Sequence, residues 1–100
     1  MTVSVVTRYI VPNVAASTDI AKRSKALWIK NGALDVRLNQ IFTGPYTGQW
    51  LLVVMHADMA AYAKASAAMA GSADMKQLLA EHVKSGGVMQ EREILVGTDI

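Results

Sequence analysis

The sequence predicts an α+β fold whose strands and helices follow the order β-α-β-β-α-β. Three observations carry this prediction: four short segments rich in β-branched residues, longer segments with helical periodicity between them, and turn residues at the boundaries. A chain of 100 residues is long enough for one hydrophobic core and too short for two. We therefore expect residues 1–100 to form a single domain.

The first half of the chain predicts a strand, a helix and a second strand. The segment Val3–Ile10, VSVVTRYI, is β-branched and aromatic, which favours a strand. Residues at helical spacing run from about Ala15 to Asn31, and Gly32 follows as a residue suited to end a helix. The segment Ala33–Phe42 alternates apolar and polar residues, as a strand with one dry face does.

The second half predicts a third strand, a broken helix and a last strand. The turn sequence TGPYTG leads into Gln49–His56, whose consecutive apolar residues indicate burial on both faces. Asp58 can cap the next helix, and Gly71–Ser72 should interrupt it, with the serine capping a segment that ends near Ser85. The last strand, Val88–Val96, carries charges in its middle, as an edge strand does.

The helix after the third strand is rich in small residues. Alanine has little bulk and methionine fills irregular gaps, so we expect this helix to lie close on the sheet. The alanines expected at that contact are Ala60, Ala61, Ala63, Ala67 and Ala68, with Met59, Met69 and Met75 filling gaps.

The order of elements is that of a ferredoxin-like domain, with a four-stranded antiparallel sheet and the helices on one face. The central strands carry apolar residues at both parities: Val5 faces away from Val6, and Leu52 from Leu51. Helices on one face would leave several hundred Å² of apolar surface exposed on the other. The sequence therefore predicts a homodimer, and a monomer with an apolar face is the alternative.

The composition of the chain limits the kinds of partner that we expect. The net charge is only +2, and the densest basic run, Ala21–Lys25, has Asp19 nearby on a predicted helix, so we expect no nucleic-acid partner. The chain has no cysteine, which excludes disulfides and thiolate metal sites. No apolar run approaches the roughly 18 residues of a membrane helix, and MTVSVVTRYIVPN does not read as a signal peptide. We expect a cytoplasmic protein without a membrane partner.

The chain resembles the dimeric α+β barrel superfamily, which includes antibiotic-biosynthesis-monooxygenase-like and NIPSNAP-like small domains. The resemblance covers nearly the whole chain and is clearest where the third strand runs into HADMAAYAKASAAMAGSADMKQLLAEH: Asp58 opens the helix, AAY follows, and a break precedes a second helical segment. It implies a dimer whose two sheets form a barrel, with a pocket in each protomer between sheet and helices. Members range from cofactor-free oxygenases and haem-degrading enzymes to isomerases and domains without known activity.

Polar side chains in the strands are candidates for contact with a ligand. Arg8, Arg37 and Asn39 interrupt β-favouring runs, and a charged side chain that faces a barrel interior must be paired or face a ligand. With Trp50 or Tyr46 stacking, they would orient an anionic or carbonyl-bearing substrate. Alternatively, Arg37 pairs with Asp35 or with Glu93, or the arginines form salt bridges between subunits. The predicted ligand-binding residues are Arg8, Arg37, Asn39, Trp50 and His82.

His82 is the helical candidate. Leu78 and Leu79 lie one turn before it, so it can line the inner face of its helix, and the alternative is a partly exposed histidine at a helix end. His56 and His82 lack metal-ligand spacing, and no metal site is predicted. Haem-degrading members of the superfamily have a histidine on the second helix, which His82 resembles. They also have an asparagine on the first strand, which is missing here, and a tryptophan that Trp50 does not clearly match. We expect no cofactor, with haem as the less favoured alternative.

The residues leave the activity open, because the chain has neither a glycine-rich phosphate loop nor a GxSxG motif. The first hypothesis is a small dimeric barrel protein that binds a small, largely apolar molecule and acts as a cofactor-independent monooxygenase. The second is a non-enzymatic binding or stress-associated dimeric module. The third is a haem-binding or haem-degrading enzyme.

Overall fold

Four strands and three helices are present in the computed structural model, which describes residues 1–100. The sheet has the order β2-β3-β1-β4, and each neighbouring pair is antiparallel. The predicted ferredoxin-like α+β fold is confirmed, and the helical region after the third strand is divided in two as expected. The elements are β1 (Val3–Ile10), α1 (Val14–Lys30), β2 (Asp35–Gln40), β3 (Trp50–His56), α2 (Met59–Ala70), α3 (Ala73–Lys84) and β4 (Val88–Val96).

The helix boundaries follow from short polar residues and glycine. Asn13, Asp58 and Ser72 cap α1, α2 and α3, and each side chain accepts a backbone N–H at 3.0, 2.7 and 3.2 Å, respectively. The predicted caps Asp58 and Ser72 are confirmed. After α1, Gly32 adopts φ 102°, a conformation that other residues rarely take. No helix here combines the length and the hydropathy that crossing a membrane would require.

The two faces of the sheet differ in what covers them. Across β1 and β3, Val5 pairs with Val54 and Val6 pairs with Val53. Val5 and Val54 are buried on the side that the helices cover, which we call the helix face. Val6 and Val53 point to the opposite side, the open face, and are only half-buried. Apolar residues thus occur on both faces of the central strands, as predicted.

The core is concentrated between α1 and the β2–β3 pair. Ala33, Val36 and Val54 are buried together, and Trp28 and Leu52 pack against them. The helices contact β2 and β3 most, and the space between the helices and β1 is filled less completely. This uneven filling positions a cavity on the helix face.

The expected packing of the alanines in α2 is wrong. Ala65 and Met69, one turn apart on the same stripe of the helix, are the buried residues of α2. Met59 is instead 50% exposed. The stripe of α2 that faces the protein is narrow, so most of its small residues face away from the sheet. The exposed or half-buried alanines are Ala60, Ala61, Ala63, Ala67 and Ala68.

The strand β4 lies at the edge of the sheet, as its charged middle predicted. All of its residues are exposed. Its large apolar side chains are between 44% and 54% exposed, namely Val88, Met89, Ile94, Leu95 and Val96. Such an apolar edge is unusual for an isolated chain, because exposed edge strands pair readily with other strands.

Candidate functional site

A cavity of about 280 Å³ lies between the helix face of the sheet and the three helices. This volume is close to the lower end of the range for small-molecule sites, about 300 Å³. Most of the lining is apolar, so the cavity suits a small, largely apolar molecule. Its apolar walls include Val5, Val11, Ile20, Trp28, Leu38, Leu52, Val54, Tyr62, Met69, Met75, Leu78 and Leu79.

One end of the cavity is polar, and we call the group Thr7, Tyr9, His82 and Arg92 the polar end. Thr7 and Tyr9 are successive helix-face residues of β1, and the β1–β4 register places Arg92 beside Thr7. Arg92 Nε donates to Thr7 Oγ1 at 3.1 Å. None of the ion pairs in the chain involves Arg92. Its positive charge is therefore available to an anionic or carbonyl oxygen in the cavity.

The imidazole of His82 reaches this end from the last turn of α3. Its ring meets the ring of Tyr9 edge-on, with centroids 5.1 Å apart. On another side it lies against Gly87, where an added Cβ would fall 2.4 Å from His82 Cε1. Burial lowers the pKa of His82 below its ordinary value of 6.5. At neutral pH the ring is therefore uncharged, and one of its nitrogens can accept a proton.

A second histidine, His56, lies behind the cavity wall. It ends β3 and is 0% exposed. Its ring meets Trp28 and Tyr62 edge-on, with centroid distances of 5.6 and 5.3 Å, and both of these residues line the cavity. Neither ring nitrogen has a hydrogen-bond partner. Burial lowers the pKa of His56, so the ring is neutral.

The cavity wall from α1 also carries hydroxyl groups. Ser17 and Ser24 line the cavity, and Ser17 Oγ is buried without a hydrogen-bond partner. The sequence analysis singled out neither serine as a site residue. A serine at helical spacing from an apolar stripe was the available indication.

Of the five predicted ligand-binding residues, His82 lines the cavity. Arg37 and Asn39 alternate with the helix-face residues Val36 and Leu38, so they lie on the open face. Arg37 is 68% exposed and pairs with Asp35 at 2.9 Å, which is the alternative that the sequence left open. Trp50 lies two residues before Leu52 and so on the same face of the sheet, but it is at the start of β3 and does not line the cavity.

Arg8 also lies on the open face, where it holds the loop between β2 and β3. Its guanidinium donates to Gln49 Oε1 at 2.6 Å and to Glu91 Oε2 at 3.2 Å. It also stacks 3.5 Å from the centroid of the Tyr46 ring. A ligand role for Arg8, Arg37 and Asn39 stays a prediction, and it concerns the space above the open face rather than this cavity.

The amino-acid sequence places this fold in a family. Residues 9–94 match the family described as a domain of unknown function, DUF6854. The chain belongs to the DUF6854 family. A comparison of the DUF6854 chain with curated proteins returned no match.

Solved structures similar to the DUF6854 chain share its whole fold. SnoaB, a cofactor-independent oxygenase from Streptomyces nogalater, superposes with a TM-score of 0.73 at 13% identity, covering 99% of this chain and 95% of SnoaB. A NIPSNAP family protein from Agrobacterium tumefaciens gives 0.63 at 11% identity, covering 99% and 95%. A dimeric ferredoxin-like protein from an uncultured marine organism gives 0.62 at 14% identity, covering 98% of each chain. At such identities the likeness shows the ferredoxin-like α+β fold alone.

Proposed function

We propose that this DUF6854 protein is a homodimeric, cofactor-independent oxygenase, whose single domain binds a small aromatic substrate in the cavity. The observation that carries the proposal is the composition of the cavity. Its walls are apolar, and its polar end combines a neutral histidine, His82, with an arginine, Arg92, that no carboxylate neutralises. SnoaB, which has the same fold, supports this choice because it is described as a cofactor-independent oxygenase.

The proposed reaction needs a substrate that can itself transfer electrons to O₂. A CH₂ group between aromatic rings and opposite a ring carbonyl is such a site, because removal of one proton gives a delocalised anion. In the proposed mechanism His82 accepts that proton, and Arg92 stabilises the negative charge on the carbonyl oxygen. The anion reduces O₂ and combines with it. One oxygen atom then remains as a new carbonyl, and the other leaves as water with the two hydrogens of the CH₂ group.

The apolar walls contribute by keeping water away from the anion. Trp28, Leu52 and Met75 line the cavity and would surround the aromatic rings of the substrate. None of the three donates a proton to the anion as readily as water would. The Tyr9 ring packs edge-on against the imidazole and limits its rotation. The chain's own side chains thus supply a proton acceptor, a cation and a dry site.

The dimer is proposed from the open face and β4. Val6 and Val53 carry apolar surface on the open face, and all of β4 is exposed. Burying about 400 Å² on each partner corresponds to roughly 20 kcal/mol before the costs of association. A second copy is the proposed partner, and a solved protein with this fold is described as dimeric.

Anthrone tests the activity, because its CH₂ group lies between two aromatic rings and opposite a carbonyl. The expected result is O₂ uptake above the spontaneous rate, with one anthraquinone formed per O₂. His82→Ala should lower kcat by about 10²-fold. Gln77→Ala, an exposed position on the same helix, is the matched control and should leave kcat unchanged. Anthrone binding without O₂ uptake would instead favour the non-enzymatic binding module, and absence of both would refute the proposal.

A further inference from the structure

We infer that His56, together with Trp28 and Tyr62, forms an inner subsite that receives the hydroxyl group of a phenolic ligand. This inference rests on the proposed function, because it takes the cavity as the place where the aromatic substrate binds. It assigns a ligand contact to a residue at the other end of the cavity from His82. The β1–β3 register places His56 beside Val3, and Tyr9 of the polar end lies six residues further along β1, about 20 Å away.

His56 is buried, and its polar atoms lack hydrogen-bond partners. Each ring nitrogen has less than 1 Å² of accessible surface and no hydrogen-bond partner, so a water-sized molecule does not reach either atom in this conformation. A neutral imidazole carries one N–H donor and one acceptor nitrogen. Both are unpaired here, although buried polar groups in proteins are almost always hydrogen-bonded. Packing alone would be served better by an apolar ring.

His56 lies directly behind two residues that line the cavity. Only the rings of Trp28 and Tyr62 meet the imidazole edge-on among the aromatic residues near it, and both also line the cavity. A change of the Tyr62 side-chain torsion, which starts from the first turn of α2, would open a path from the cavity to His56. The aromatic neighbours would then contact the ring of the ligand while the imidazole contacts its polar group.

The two unpaired nitrogens of His56 define the chemistry of the ligand group that would pair with them. A hydroxyl group donates one hydrogen bond and accepts others, so it can pair with either nitrogen of a neutral imidazole. A methyl ether of the same shape can only accept. The subsite should therefore distinguish a phenol from its methyl ether, and the remaining rings of the ligand would occupy the apolar part of the cavity.

The test compares 1-naphthol with 1-methoxynaphthalene, each titrated into the dialysed wild-type protein while tryptophan fluorescence is followed. The wild type should bind 1-naphthol at least about tenfold more tightly than the ether. His56→Phe keeps an aromatic ring between Trp28 and Tyr62 and should give equal affinities for both ligands. His82→Phe, at the polar end, should keep the preference.

Nuclear magnetic resonance of the wild-type protein tests the contact between the ligand hydroxyl and His56 without a substitution at that residue. In protein labelled with ¹⁵N-histidine, the ring-nitrogen signals of His56 should shift on saturation with 1-naphthol and change much less with 1-methoxynaphthalene. Comparison with His82→Phe assigns the two histidines.

Four results would overturn the inference. Equal wild-type affinities for the two ligands, or unchanged His56 nitrogen signals, would overturn it and leave the proposed function standing. A preference lost in His82→Phe but kept in His56→Phe would place the hydroxyl at the polar end instead. Failure of both ligands to bind would overturn the inference and the proposed cavity function together.

Discussion

Replacing Gly87 by alanine tests how His82 is held in the cavity. The added Cβ would lie 2.4 Å from Cε1 and 2.8 Å from Nδ1 of His82. Real Cβ atoms essentially never approach another heavy atom closer than 3.0 Å, and ordinary contact begins at 3.4 Å, so the two groups must separate by about 1 Å. Gly87 does not adopt a left-handed backbone conformation. The whole effect should therefore come from the contact with the imidazole.

The expected magnitudes follow from this displacement. Crowding a packed site by one methyl group typically lowers the free energy of unfolding by about 1–3 kcal/mol. If His82 is the proton acceptor, a shift of about 1 Å should also lower kcat for anthrone by up to about 10²-fold. Gly71→Ala is the matched control, because the nearest heavy atoms to its added Cβ are 3.9 and 4.0 Å away. Its unfolding free energy should change by no more than about 0.5 kcal/mol.

Urea denaturation of a double-mutant cycle measures the contact itself. In a His82→Ala background the imidazole is absent and the clash is removed. Gly87→Ala should then lower the free energy of unfolding by no more than Gly71→Ala does. The coupling energy between positions 82 and 87 should then account for most of the loss in the single variant. A Gly87→Ala variant as stable as Gly71→Ala, or an equal loss with and without the imidazole, would refute this description of the contact.

Three further predictions concern stability and assembly. Burial lowers the pKa of His56 and His82 below 6.5, so below that pH the unfolded chain binds protons that the folded chain does not. The free energy of unfolding should therefore fall between about pH 7 and pH 5, and less steeply in His56→Phe; equal slopes in urea denaturation would contradict this. Arg23 and Glu81 join α1 and α3 by two hydrogen bonds of 2.8 and 2.7 Å, but their side chains are 42% and 38% exposed. Glu81→Gln should thus lower the free energy of unfolding by only about 0.2–1 kcal/mol, and by less at high salt. A larger loss in urea denaturation would show that the pair is stronger than this. If the proposed dimer forms through the open face, the wild type should sediment at twice 10.8 kDa and Val53→Lys, which places a charge on that face, should sediment as a 10.8 kDa monomer; equal masses for the two proteins would argue against an interface on that face.

Local sequence patterns were sufficient to predict the elements. The observed bounds of β1 and β4 are those predicted, and Asp58 and Ser72 cap their helices. The second strand is shorter than predicted, Asp35–Gln40 instead of Ala33–Phe42. The alternation of apolar and polar residues stops at Asn39, and Phe42 lies in the loop and is 90% exposed. A strand ends where its pairing partner ends, which alternation within one segment does not reveal.

The candidate site was predicted less well, because the face of a strand residue depends on pairing. Arg8 and Arg37 could be recognised as charged strand residues, but their assignment to the open face follows from which side the helices cover. Arg92 reaches the cavity because the β1–β4 register pairs it with Thr7, and that register also shifts between Arg8 and Tyr9. Such an irregularity moves every later residue of the strand relative to its partner and has no sign in the local pattern. His56 was visible in the sequence, but its isolation behind Trp28 and Tyr62 is a tertiary property.

The distribution of unpaired polar atoms separates what stabilises this fold from what the cavity does. Within the chain, the buried side-chain atoms that lack a hydrogen bond are Ser17 Oγ and the two ring nitrogens of His56. All of them lie on or directly behind the cavity wall, whereas the buried Thr7 hydroxyl is paired with Arg92. An apolar residue at either position would leave no such atom unpaired, so folding alone does not account for Ser17 and His56. A ligand with polar groups would supply the missing partners, so Ser17 and His56 are proposed ligand contacts in addition to the polar end, whereas Arg8 and Arg37 already have partners on the open face.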